Sequence, residues 1–299
     1  METASSFDDR IADRLEAMSP AERRVARFFQ ENREEVLVAS AAELAAGADT
    51  SDATVVRAAK ALGFAGLDDL RRTLAAELRA SLSPADRLTR TLGEVGDDLE
   101  KAFGMTLDIG IQSLEELRRA IPADLFRKAV EAICGAGRVR VFGLGPSSAM
   151  ANYLVIQLSR FGLDAAVLSN TGLLFADDLA RLRAGDFVVM LAYGRVYAEL
   201  AALLDAIASL RLRSLLLTDT LDAPLRDRVE LVFPVARGRA EMLSMHTATL
   251  GLLETLLVGV ASQRPEETLA SLRNLNATRE KLAGESASLP VSNAPRRQR

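Results

Sequence analysis

The six residues Gly143-Leu144-Gly145-Pro146-Ser147-Ser148 stand between a short apolar run and a helical stripe. In that arrangement, unsatisfied backbone N–H groups and a helix N-terminus attract an anion, and a phosphate is the natural guest. A tight turn with no ligand is the other reading of the same residues. A dinucleotide fits less well, because the third glycine of a G-x-G-x-x-G motif is Ser148 here. The second strand also ends in Ser169-Asn170, with no acid to hold a ribose. A second group lies near the other end of the chain. Ser51, Asp52, Thr54, Arg57 and Lys60 occupy the exposed face of a predicted helix whose inward face is Val55, Val56 and Ala59. Ser51 and Thr54 can bond phosphate or base edges, Arg57 can fork onto guanine, and Lys60 can neutralise a phosphate. A generic helical bundle that leaves Arg57 and Lys60 merely solvated fits that spacing as well. No metal constellation is predicted, since the single histidine, His246, and the single cysteine, Cys134, stand 112 positions apart.

These groups need elements to hold them. Between Pro20 and Leu78 apolar residues recur at helical period, in the stripes Val25, Phe28, Phe29, then Leu44, Ala45, then Val55, Val56, Ala59, then Leu67, Leu70, Leu74. Ser19-Pro20-Ala21-Glu22 supplies an N-cap serine, a proline at the first helical position and a capping-box glutamate. A helix over about Ala41 to Ala46, a turn at Gly47-Ala48-Asp49-Thr50 and a second helix from Asp52, capped by Ser51 and ended at Gly63, has helix-turn-helix spacing. In that motif the second helix enters the major groove. Residues 81–120 read as a polar helical connector, opened by Ser83-Pro84 and weakened by Gly93, Gly96, Gly104 and Gly110. From Arg138 the texture changes. Val139–Phe142, Ala165–Leu168, Phe187–Ala192, Ser214–Thr218 and Val229–Phe233 read as strands with helices between them, one running from Val196 to Leu210. The predicted fold class is an all-α N-terminal helix-turn-helix domain followed by an α/β domain with a five-stranded parallel sheet covered on both faces. The predicted divisions are 1–80 for the first domain, 81–124 for the linker, 125–265 for the α/β domain, and 266–299 for a C-terminal helix and tail. Ser286 to Arg299 is read as disordered from its Ser, Pro, Asn and Arg content.

Composition bounds the partners. A chain of 299 residues, 49% hydrophobic and 26% charged, is ordinary for a globular protein, and its length predicts about two domains. The net charge is −4, and residues 1–80 carry 15 acidic against 11 basic side chains, which excludes a polybasic coat. A DNA-reading surface must therefore gather its positive charge on one face. The longest apolar stretch, Thr249 to Ala261, is interrupted by Glu254 and falls short of the roughly 20 residues of a bilayer crossing, so it reads as a buried helix. The N-terminus lacks a positive region followed by an apolar run, which predicts a cytoplasmic protein with no membrane partner.

Ser19-Pro20-Ala21-Glu22-Arg23-Arg24-Val25-Ala26, Ala42-Glu43-Leu44-Ala45, Ser51-Asp52-Ala53-Thr54-Val55-Val56-Arg57 and Leu62-Gly63-Phe64-Ala65-Gly66-Leu67-Asp68-Asp69-Leu70-Arg71 together resemble the helix-turn-helix of RpiR-family bacterial transcriptional regulators. Ala58 departs from that pattern, standing where the family often carries an aromatic. The segment from about Leu125 to Gln263 resembles the sugar isomerase (SIS) domain, a flavodoxin-like fold, which those regulators carry as a phosphosugar sensor. Gly143, Gly145, Ser147 and Ser148 match its first phosphate turn, and Thr218-Asp219 with Pro224-Leu225 match its later strand-end segment. The second turn departs. Where many members have S-x-S-G-x-T, this chain has Ala192-Tyr193-Gly194-Arg195-Val196-Tyr197, with Glu199 retained two residues on. Losing three hydroxyls removes hydrogen bonds each worth about 1.5 to 3 kcal/mol to a charged group. The fork of Arg195 can replace them on a phosphate or carboxylate, with Tyr193 or Tyr197 stacking on or bonding a sugar. An ion pair between Arg195 and Glu199, four residues on, is the competing reading.

The resemblance implies a transcriptional regulator, more often a repressor, of carbohydrate or related metabolic genes. It implies a homodimer or homotetramer on palindromic double-stranded operator DNA, joined through the α/β domain, with the Thr249–Val260 helix as an apolar contributor. The implied effector is a phosphosugar or another small acidic metabolite. Related SIS domains also occur in isomerases and etherases that use a Glu or His base, for which Glu199, Glu241, Glu254 and His246 are the candidates here. The DNA reader and the altered second turn weigh against catalysis, and His246 reads as a capping or interface residue. No catalytic residue, metal or cofactor is assigned. An isomerase-like enzyme and a non-sensing oligomerisation scaffold are the alternatives.

Overall fold

The computed structural model describes residues 6–283, and the predicted disordered stretch Ser286 to Arg299 lies outside them. The N-terminal domain holds α1 (Phe7–Arg14), α2 (Pro20–Glu31), α3 (Arg33–Val38), α4 (Ala41–Gly47), α5 (Asp52–Ala61) and α6 (Leu67–Ser81). Capping boxes open α1, α2 and α4. At α2 the Ser19 hydroxyl accepts the Glu22 amide while Glu22 accepts the Ser19 amide at 3.0 Å, so two orphan donors are satisfied at once. The helices close over Phe7, Val25, Phe29, Leu44, Val55, Leu62 and Leu70. Ala58 is fully buried in this core, so the small side chain is where α5 approaches its neighbours. Gly63 ends the recognition segment at φ +85°, a conformation open to glycine without a Cβ clash.

The connector differs from its sequence reading. Helix α7 (Pro84–Val95) starts at a Ser83–Asp86 capping box and stops at Gly96, but α8 (Leu99–Ala120) runs unbroken through Gly104 and Gly110. Gly110 is buried, and a Cβ there would lie 3.3 Å from the Thr247 methyl, so this glycine permits close packing and not a break. One side of α8 is seated on the α/β domain through Ile109 and Ser113. The flank beside it exposes Leu99, Phe103, Leu107, Ile111 and Leu114.

After α9 (Ala123–Gly135) come β1 (Arg138–Gly143), α10 (Pro146–Arg160), β2 (Ala165–Leu168), α11 (Phe175–Leu179), β3 (Asp186–Leu191), α12 (Ala198–Leu210), β4 (Arg213–Thr218), α13 (Asp222–Leu225), β5 (Leu231–Pro234), α14 (Thr247–Gln263) and α15 (Pro265–Ala283). All five strands are parallel in the order β2-β1-β3-β4-β5. Alternate residues serve opposite faces. Phe187, Val189 and Leu191 join Val139, Val141 and Leu215 beneath α9, α10 and α14, while Val188 and Met190 join Phe142 and Leu216 beneath α11 and α12. At the lower edge the buried Asp186 carboxylate takes Arg138 in a two-pronged grip at 2.7 and 2.8 Å and also accepts the Arg183 amide at 2.9 Å. The stretch Thr249–Ala261 is indeed a buried helix. Its Leu252, Leu253, Leu256, Leu257 and Val260 face the chain's own core, leaving Val258 as its exposed large apolar residue. No helix of the described residues is long and apolar enough to cross a membrane.

Candidate functional site

The sheet order reverses between β1 and β3, and in such sheets ligands bind in the crevice beyond the strands' carboxyl ends. The first wall is the turn into α10. A Cβ on Gly143 would lie 2.6 Å from the Ser147 carbonyl oxygen, so only glycine lets the helix begin this close to the strand. Gly145 is the N-cap at φ +55°, Pro146 opens the helix, and no side chain caps its first amides. Ser147 is buried against the strand end, and the Ser148 hydroxyl donates to the Gly145 carbonyl at 2.7 Å. The Ser147 and Ser148 amides return to the Leu144 and Gly145 carbonyls at 3.1 and 3.0 Å, so what the turn offers an anion is the positive end of the helix dipole and not a pair of free amides.

The second turn corrects several expectations. Tyr193 is buried, with its ring beneath the Arg237 guanidinium at 4.6 Å and its hydroxyl 2.9 Å from the Thr249 hydroxyl. Burial pushes its phenol well above the usual range. It forms part of the wall and offers no free face for a sugar. Thr218 is fully buried, and its hydroxyl accepts the Leu221 amide at 3.0 Å and the Thr220 amide at 3.3 Å, so it ties down the β4 turn from beneath. Arg195 and Tyr197 are exposed, with the guanidinium 5.9 Å from the ring centre. Glu199 accepts the Gly172 amide at 3.0 Å, a bond that holds its carboxyl below the usual range, so the Arg195–Glu199 pair is not formed. Because Gly194 to Tyr197 stay in the loop, α12 begins at Ala198 and not at Val196.

Asp219, which the sequence marked only as part of the strand-end segment, and Arg237, which it did not mark, complete this wall. Asp219 accepts the Gly194 amide at 3.1 Å and pairs with Arg237 at 3.0 Å, joining the loops after β3, β4 and β5. Their position after strand ends was the available signal. A third, Arg87 on α7, stands in the field of Arg237, Asp219, Tyr197 and Arg195. Nothing in its local sequence marks it, since only the docking of α7 brings it here.

His246 holds the N-cap position of α14, in line with its reading as a capping or interface residue, although its side chain bonds no backbone amide. Its Nδ1 is 3.3 Å from the Thr249 hydroxyl and its ring meets Tyr193 edge-on at 5.7 Å. Burial first, and the nearby Arg237 charge second, hold its pKa below the ordinary value. Glu254 accepts the Tyr153 hydroxyl at 3.3 Å. Among the described residues no group of three His, Cys, Asp or Glu side chains is placed to hold a metal.

In the N-terminal domain, α4 and α5 are joined by a turn in which Asp49 adopts φ +48° and the Thr50 amide returns to the Ala45 carbonyl at 2.9 Å. Arg24 of α2 donates to the Asp49 carbonyl at 3.3 Å, placing another exposed cation beside the turn. Ser51, Asp52, Arg57 and Lys60 are exposed on α5 as expected, but Thr54 is not. Its side chain is buried, 3.0 Å from the Ser51 hydroxyl and 2.9 Å from the Arg57 guanidinium that donates to it. Thr54 therefore orients Arg57 from behind, because packing against α2 covers its side of the helix. Ser51 holds the N-cap position with its hydroxyl turned to Thr54 and not to a backbone amide. Val56, expected inside, is half-buried.

Comparison with known proteins finds matches for two separate segments of the chain. Residues 6–81 match the family described as helix-turn-helix domain, rpiR family, and residues 132–259 match the SIS domain. The chain is 29% identical over 266 residues to the "Bifunctional protein glk" of Burkholderia orbicola, covering 87% of this chain and 40% of that protein. It therefore spans well under half the length of that relative. It is 26% identical over 192 residues to the "HTH-type transcriptional regulator HexR" of Escherichia coli, covering 62% of each. Among solved structures, the sugar isomerase domain of an RpiR transcription factor from Sphaerobacter thermophilus superposes with a TM-score of 0.53 at 27% identity, covering 56% of this chain and 94% of that one. The Vibrio vulnificus NanR protein complexed with ManNAc-6P superposes with a TM-score of 0.56 at 22% identity over 93% of this chain and 99% of that one, a likeness of fold.

Proposed function

We infer the function from the premise that this chain belongs to the RpiR family, with an rpiR-type helix-turn-helix domain joined to a SIS domain. It is a DNA-binding transcriptional regulator, acting as a repressor of carbohydrate or related metabolic genes, whose SIS domain takes a phosphosugar or similar small acidic effector and catalyses nothing. The observation that carries this reading is the pairing, in one chain, of an exposed Arg57–Lys60 helix face with a strand-end crevice that combines a helix N-terminus with arginines. Phosphate drawn to a helix N-terminus and guanidinium forks is recognised by charge and charge-assisted bonds, which suits an acidic metabolite and not a neutral sugar.

A homodimer presents two such helices to one operator. We place its contact on the exposed α8 flank, because the flank is complementary to itself. An antiparallel second copy centred on residue 109 sets Leu107 opposite Ile111, Gly104 opposite Leu114 and Glu100 opposite Arg118. Such an isologous contact closes after two subunits. The test is selection of duplexes from a random library by the full chain, with light scattering for mass. The expected outcome is an enriched inverted repeat bound by a dimer. A chain that enriches no duplex refutes the regulator reading, and an unchanged mass for Leu107→Glu refutes the α8 contact.

A further inference from the structure

Helix α7 belongs to the connector by sequence, yet it is docked on the segment that leaves β5. The buried Thr91 hydroxyl accepts the Leu243 amide at 2.9 Å, and Glu94 pairs with Arg239 at 3.3 Å. Arg237 lies in the same segment. Arg87 stands one turn before Thr91 on the same side of α7 and is half-buried. This docking brings three guanidinium groups from distant parts of the chain within electrostatic range of one another beyond the strand ends. Arg87 comes from the connector, Arg195 from the loop after β3 and Arg237 from the loop after β5. Asp219 is the carboxylate acting on Arg87 there, and it is already engaged by Arg237 and by the Gly194 amide. Burial, and the Arg237 charge after it, make the protonated state of Arg87 harder to hold. Like charges gathered at a partly desolvated site are relieved by an anion of opposite sign placed among them.

We propose that Arg87 is a ligand of the effector site, closing with Arg195 and Arg237 on the phosphate or carboxylate of a small acidic metabolite at the strand ends. This rests on the reading that the crevice takes an anion. Its consequence is mechanical. With the anion present, α7 is drawn onto the SIS domain; without it, Arg195 and Arg237 repel Arg87 and the docking relies on Thr91 and Glu94. Only Leu82 and Ser83 separate α7 from the end of α6, so a displaced α7 moves the helix-turn-helix domain. The site then biases two arrangements of the DNA-reading helices, which is what linkage between effector and operator requires.

The experiment is hydrogen exchange on the full chain in millimolar inorganic phosphate against chloride at equal ionic strength. In the wild type, phosphate should slow exchange both in residues 192–197 and in residues 84–95. Arg87→Gln should raise the phosphate Kd about tenfold or more, the loss expected for one charge-assisted bond, and should abolish the protection of 84–95 while leaving some at 192–197. Arg87→Lys should fall between. Protection confined to 192–197 in the wild type, or equal phosphate affinity in Arg87→Gln, overturns the role of Arg87 and leaves the anion site standing. Absence of phosphate protection at both segments in the wild type overturns the anion reading and this proposal together.

Discussion

At Gly143 one added methyl group tests the geometry on which the anion site depends. A Cβ there would lie 2.6 Å from the Ser147 carbonyl oxygen, 2.8 Å from the Ser147 carbonyl carbon and 3.2 Å from the Ala151 methyl. The first two are backbone atoms of α10 and cannot rotate away, and Ala151 is fully buried. Gly143→Ala must therefore push the start of α10 away from β1 by most of an ångström, into a core already filled by Val141, Leu154 and Leu158. Overpacking of this kind costs about 1 to 3 kcal/mol, and a backbone obstacle places this case at the upper end. For an α/β domain of this size each kcal/mol lowers Tm by about 2 to 4 °C, so the expected drop is about 6 to 12 °C. Calorimetry on the full chain reads the drop, and phosphate titration should show weakened binding, since the N-terminus of α10 has moved. Gly93→Ala is the control: its Cβ meets nothing within 4 Å on an exposed helix, and it should be neutral or stabilise by up to about 1 kcal/mol. A Gly143→Ala protein with unchanged Tm and phosphate affinity would refute the claim that the turn needs this contact.

Other outcomes follow from the same contacts. Arg57→Ala should weaken binding to a selected operator by about 1 to 3 kcal/mol with mass and Tm unchanged, as read by gel shift; equal binding removes Arg57 from the interface. Asp186→Asn should cost about 1 to 3 kcal/mol in urea unfolding, because the part-exposed Arg138 and the buried Arg140 then lose the carboxylate they share. His246 is held below its ordinary value of 6.5, so the unfolded chain takes up that proton first as pH falls. Stability should therefore decline as pH drops through about 6.5 toward the native value, and His246→Gln should flatten that decline in urea midpoints measured across the range.

What was legible in the sequence followed from local rules. Phe187–Ala192 is apolar on both faces, and Val139–Phe142 is broken only by Arg140, because the sheet is covered twice, so the strands and their parallel sense could be read directly. Ser19 marked its helix through a capping box, and Ser83-Pro84 marked the start of α7. The misreadings came from tertiary contacts. Gly110 looks like a helix breaker until Thr247 is seen against it, and Thr54 looks exposed until α2 covers it. Tyr193 and Thr218 carry groups suited to a ligand, but the fold uses their hydroxyls internally. Arg237 and Arg87 come from segments far apart in the chain, and no spacing rule joins residue 87 to residue 237.

The central claim is that one anionic metabolite and one duplex compete for arrangements of the same chain. It is tested most directly by fluorescence anisotropy of a selected inverted-repeat duplex, titrated with the full chain across a panel of sugar phosphates, sugar acids and their neutral parents. The account predicts that at least one acidic compound changes operator affinity by about fivefold or more while its neutral parent does not. An operator affinity that no acidic member of the panel shifts, or that neutral sugars shift equally, would contradict it.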